Sequence, residues 1–180
     1  MAANTRFLES ARLAFDRERV LWSSLGIDEL GDVRIAEPPG TGAPDVALPE
    51  HLAAVQDYET LFASVLVHSY ALAESAAAAR LAVDQRSCAG IEDWGTRLLT
   101  ANDRGWKDVR GGLGGAVEVA VVRNAFAHGS RRLDEHAVAR LRTAGVAQYS
   151  AGTRVGLGYP HLRGFRRRLV SLLEAGGIGQ

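Results

Sequence analysis

Apolar residues recur at three- and four-residue intervals along most of this chain, the period of helices that bury one face. Over residues 4–22, Phe7, Leu8, Ala11 and Phe15 make a stripe with arginine and glutamate opposite, which predicts a first helix. The longest signal runs over residues 49–83, where Leu52, Val55, Tyr58, Leu61, Phe62, Val65, Leu66, Ser69, Leu72, Ala73 and Ala76 mark one wide face. A run of this length exceeds the usual globular helix, so a kink or break is expected inside it. Shorter helical patterns cover residues 91–101, 133–144 and 160–175, the last opened by Pro160 and faced by Leu162, Phe165, Leu169 and Leu172. The period changes only over residues 146–157, which read as a small β-hairpin turning at Ser150, Ala151 and Gly152. The fold class expected is mainly α: a helical bundle with a small C-terminal β-hairpin.

One stretch departs from the amphipathic pattern. Residues 116–127 are apolar except for Glu118, Arg123 and Asn124, and no proline interrupts them. Such a segment predicts a helix buried on most of its circumference, closed by His128 and stopped by Gly129. Charged and amide groups stay on a buried helix only when something compensates their desolvation. Asn124 and His128 are four apart and share one face, extending the line Val117, Ala120, Val121, Ala125. Arg123 precedes His128 by five residues, about 140° round the helix. A straight helix does not aim both at one point. Either the chain bends at His128, or a second copy supplies the complement, as a two-fold dimer through this helix would. The glycines at 111, 112, 114 and 115 lack the Lys-Ser/Thr of a phosphate loop and read as a turn and a close-packing surface.

Composition adds bounds. The 180 residues, 47% hydrophobic and 23% charged, suit one globular domain overall: an N-terminal helix (1–30), a Pro/Gly-rich connector (31–49) and a helical domain (50–176). The connector reads either as a spacer or as a cover for a site. Cys88 is the sole cysteine, which excludes an internal disulfide and a multi-cysteine metal site. Charge alternates with apolar residues at the start, so neither a signal peptide nor a membrane span is expected, and a cytoplasmic location follows by default. The net charge of zero conceals a split: residues 1–122 carry 11 Lys+Arg against 18 Asp+Glu (−7), and residues 123–180 carry 10 arginines against three acids (+7). The basic third is either a polyanion-binding surface or a partner for the acidic part within the fold.

The run Arg123-Asn124-Ala-Phe-Ala-His128-Gly129 resembles the arginine–x4-6–histidine signature of HEPN-domain proteins (higher eukaryotes and prokaryotes nucleotide-binding). The resemblance spans roughly residues 48–175, with the motif as its sharp part. The spacing recurs at Arg131 and His136, but in a polar run with no apolar setting. The family implies an all-helical, homodimeric, metal-independent endoribonuclease with no cofactor, frequently a toxin or defence factor paired with a nucleotidyltransferase-type antitoxin. RNA carries its own nucleophile, the 2′-hydroxyl. Cleavage then needs a base, an acid and positive charge at the phosphorus, which histidine and a held arginine supply. His128 is thus the candidate acid–base, Arg123 the phosphate clamp and Asn124 the orienting amide. Arg131, Arg132, Arg163, Arg166 and Arg167 are candidate RNA-phosphate contacts, or a solvated face. Glu118 and Glu74 are candidate supports, either of which would make Arg123 structural by pairing with it. The alternative function is a catalytically silent HEPN-like dimer that binds RNA, a nucleotide or a protein.

Overall fold

The long apolar run divides at a single residue, Asp57. In the computed structural model, which describes residues 2–24, 34–35 and 46–179, helix α2 (Leu48–Gln56) stops there and α3 (Tyr58–Leu81) begins. Asp57 leaves helical geometry (φ −79°, ψ 67°), and its carboxylate accepts hydrogen bonds from the Thr60 amide at 3.0 Å and the Thr60 hydroxyl at 2.6 Å. One residue both ends a helix and caps the next, a contribution of about 1 kcal/mol. The remaining helices among the described residues are α1 (Ala2–Ser24), α4 (Ile91–Thr100), α5 (Gly112–Ala127), α6 (Glu135–Thr143) and α7 (Tyr159–Ala175). The protein is mainly helical.

The chain forms two compact units, Met1–Leu61 and Phe62–Gln180, so the boundary falls inside α3. In the first, α1 and α2 pack together. His51 bonds Glu18, and the Tyr58 hydroxyl donates to Asp16 at 2.6 Å. Strands β1 (Arg34–Ile35) and β2 (Val46–Ala47) pair antiparallel, Arg34 opposite Ala47 and Ile35 opposite Val46. Residues 36–45, the centre of the Pro/Gly-rich connector, lie outside the described residues.

The second unit is built around α5, which packs against α4, α6 and α7. Trp94, Leu98, Val117, Leu141, Leu162, Leu169 and Leu172 are among its most deeply buried side chains, joined by Leu66 of α3. Tyr70 of α3 meets Trp94 edge-on, with ring centroids 6.3 Å apart. By length and composition α3 is apolar enough to cross a bilayer, and half of its apolar window is buried within the protein. Leu72, assigned above to the apolar face, is 41% exposed, because the buried line of α3 runs through Phe62, Leu66, Ser69, Tyr70, Ala73 and Ala77.

The glycines at the start of α5 do the two things expected of them. Gly111 caps the helix in the left-handed region (φ 79°). A Cβ on Gly114 would sit 2.8 Å from the Ala144 carbonyl oxygen, so only glycine lets α5 approach the end of α6 this closely.

The β-hairpin expected over residues 146–157 does not form: no strand lies there. The Val146 amide is held by the Leu141 carbonyl at the end of α6. The chain then turns at Gly152 (φ 82°) and pairs with the segment leaving α5 instead. Leu133 N donates to Thr153 O at 3.0 Å and Val155 N to Arg131 O at 2.9 Å, around one antiparallel bridge between Arg132 and Arg154. Val155 and Leu157, at and beyond this pairing, are buried.

Candidate functional site

Every residue of α5 from Gly115 to Val122 is buried; only at Arg123 does the helix begin to emerge. Arg123 and Asn124 are half-buried, and His128, the C-cap, is exposed. The terminus is closed as its sequence requires. The His128 amide donates to Asn124 O, Gly129 (φ 71°) donates to Phe126 O at 3.0 Å, and the Arg131 amide donates to Ala125 O at 3.1 Å.

Arg123 does not meet His128 within one chain. Its Nη1 donates to Asn124 Oδ1 at 2.7 Å, and its guanidinium lies 4.7 Å above the ring centroid of Tyr70. Its Nε is buried with no hydrogen-bond partner. Burial pushes the Tyr70 hydroxyl up to about 12, aided by Glu74 and opposed by Trp94 and Arg123, so the ring beneath the cation stays neutral. The Asn124 oxygen is thereby committed to Arg123, and its amide nitrogen is the group left to donate elsewhere.

Neither acidic candidate supports Arg123. The Glu118 carboxylate is bound by Arg168 of α7 and accepts from the Tyr149 hydroxyl at 2.6 Å. Burial, then the bond to Glu118, raises the Tyr149 hydroxyl above its ordinary value. Glu74 accepts from the Gln85 side chain at 3.2 Å. Both carboxylates are engaged by other groups, Glu118 because it faces α7 while Arg123 faces α3.

Asn124 and His128 line a cleft of about 370 Å³ between the end of α5 and the start of α6. Its other polar walls are Ser130, Arg132, Asp134, His136 and Arg140, over apolar ground from Val121, Ala125, Leu133 and Ala137. Asp134 caps α6, accepting from the Ala137 amide at 2.7 Å. Arg140 is clamped by Glu92 of α4 through two hydrogen bonds of 2.5 Å. Burial pushes Glu92 up, but those bonds outweigh it and hold the carboxyl below its usual range. Arg132 is exposed, with Nη1 donating to Gly152 O at 2.8 Å.

The other arginines lie elsewhere. Arg131 takes a left-handed backbone (φ 49°) and stacks 5.8 Å from the Phe126 ring centroid, outside the cleft. Arg163, Arg166 and Arg167 are on α7 and none lines the cleft; Arg163 and Arg167 are exposed and Arg166 is half-buried. A second cleft of about 440 Å³ lies beside α7, with Glu118, Tyr149 and Arg168 in its wall. Two arginines of the basic third, Arg140 and Arg168, thus pair with acids from the earlier part of the chain, and the charge split is partly an internal attraction.

His136 and Arg140 are the cleft residues that sequence reasoning passed over. The signal was the second arginine–histidine spacing, Arg131 to His136. Its polar surroundings argued against a site, yet the short turn after α5 and the Asp134 cap bring His136 to the same wall space as His128. No family model, curated protein or solved structure matches this chain.

Proposed function

We propose that the protein is a metal-independent endoribonuclease of the HEPN type, working as a cytoplasmic homodimer in a toxin–antitoxin or defence setting. The observation that carries this is the placement of Asn124 and His128 on one wall of a cleft that also holds Arg132, while Arg123 fixes Asn124 from behind. An imidazole, an amide donor and a guanidinium around one concave space supply a proton-transfer group, an orienting donor and positive charge for cleavage by a 2′-hydroxyl. The reaction gives a 2′,3′-cyclic phosphate and a 5′-hydroxyl. RNA is the substrate, no cofactor takes part, and a nucleotidyltransferase-type antitoxin is the partner that fits the family resemblance.

One observation favours the alternative, a catalytically silent binding module. Arg123 packs on Tyr70 instead of lining the cleft, so the motif arginine is spent on positioning. Cleavage of a mixed RNA pool in EDTA separates the two readings. Wild-type protein should produce cyclic-phosphate ends, and folded His128→Ala should lose about 10²- to 10⁴-fold in rate. RNA binding without cleavage by the wild type would favour the module, and equal cleavage by both proteins would remove His128 from the site.

A further inference from the structure

We infer that His136 is the second proton-transfer residue of this cleft, so that one chain holds both the acid and the base. The inference rests on the ribonuclease reading. Two imidazoles, from the last residue of the α5 turn and the first turn of α6, line the same cleft of about 370 Å³. Both are exposed, and neither ring hydrogen-bonds to another described residue. The charged groups sharing the space are largely committed. Asp134 caps α6, Arg140 is held by Glu92, and Arg132 is the exposed cation. A structural histidine is normally buried on a partner; these two are bare in a concave wall, which is where proton transfer needs them.

The step balances within the chain. One imidazole takes the proton of the ribose 2′-hydroxyl as the 2′-oxygen bonds to phosphorus. The bond from phosphorus to the 5′-oxygen breaks, and the other imidazole, protonated, gives that oxygen its proton. The Arg132 guanidinium faces the phosphate oxygens, and Asn124 donates from beside His128. No water or co-reactant is consumed. A second subunit is then unnecessary for acid–base chemistry, in contrast to a dimer that uses His128 twice.

The test compares wild type, His128→Gln and His136→Gln on two substrates: a mixed RNA pool, and nucleoside 3′-(4-nitrophenyl phosphates), whose leaving group departs without a proton donor. Circular dichroism confirms folding, with His136→Asn as a second variant at the helix start. Both variants should lose about 10²- to 10⁴-fold on RNA. On the aryl esters one variant should recover and the other should not, which identifies the acid and the base. Mixing the two variant proteins should leave RNA cleavage absent, since no chain then carries both imidazoles. Full RNA cleavage by His136→Gln overturns the inference while leaving the ribonuclease reading intact. So does recovery on mixing, or loss on both substrates by both variants. A wild type that cuts nothing overturns both.

Discussion

Replacing Glu118 separates two roles that its place in the motif helix allows. Its side chain is 12% exposed and that of its partner Arg168 is 28% exposed, and the carboxylate also accepts from Tyr149 at 2.6 Å. Removing one member of a fully buried pair costs about 3–5 kcal/mol, because the remaining charge is left desolvated. Here Arg168 keeps some contact with water, so Glu118→Ala should cost about 2–3 kcal/mol, including the lost Tyr149 hydrogen bond. For a chain of this length that lowers Tm by roughly 4–12 °C. Urea denaturation followed by tryptophan fluorescence suits the measurement in a Trp22→Phe background, where Trp94 and Trp106 report on the second unit. Double-mutant cycles give the decisive comparison. Glu118 and Arg168 should couple by about 1–3 kcal/mol, and Glu118 and Arg123 should be additive within about 0.5 kcal/mol. A cost below about 1 kcal/mol for Glu118→Ala, or stronger coupling to Arg123 than to Arg168, would refute the assignment.

Two further outcomes follow from the packing around the cleft. Glu92 is held below the ordinary carboxylate range by Arg140, so its share of stability is complete above the unfolded value of about 4.3 and is lost as pH falls through the lower folded value. The stability gap between wild type and Glu92→Gln should therefore close between about pH 5 and pH 2 in acid titrations of urea midpoints, and a gap that widens there would contradict the pairing. Gly114→Ala should destabilise the second unit by about 1–3 kcal/mol, since its Cβ would press on the Ala144 carbonyl at 2.8 Å; calorimetry showing no loss would mean that the two segments sit further apart.

What sequence alone could reveal of the fold depended on the range of the interaction. The α5 helix was legible because its signal is local: a breaker-free apolar run, a terminal histidine and a left-handed glycine. A break in the 49–83 run was legible from its length, but its position was not, since Asp57 acts through a cap to Thr60 that many Asp residues could offer. The hairpin failed for the opposite reason. Residues 153–155 alternate like a strand, but their partner is the segment at 131–133, a pairing that no local pattern encodes. The site divides in the same way. Asn124 and His128 share a face by helix geometry and could be read directly. Arg123 could not be placed, because the Tyr70 ring that takes it lies on a different helix, and His136 enters the cleft only through the turn that joins α5 to α6.

The burial gradient along α5 sets where this unit can move on its own. Residues Gly115 to Val122 sit in the closed core, so their amides should exchange with solvent only through large-scale opening. The last turn is different. Past Ala125 its residues surface, and backbone bonds from Gly129 to Phe126 and from Arg131 to Ala125 stitch it shut. That turn can fray while the rest of the helix stays closed, which places the low-energy excursions of α5 at the cleft itself. An occupant bridging Asn124 and His128 to the start of α6 would act as a brace across the fraying end. Its presence would register as slowed amide exchange over residues 126–131, in a molecule whose core shows no change at all.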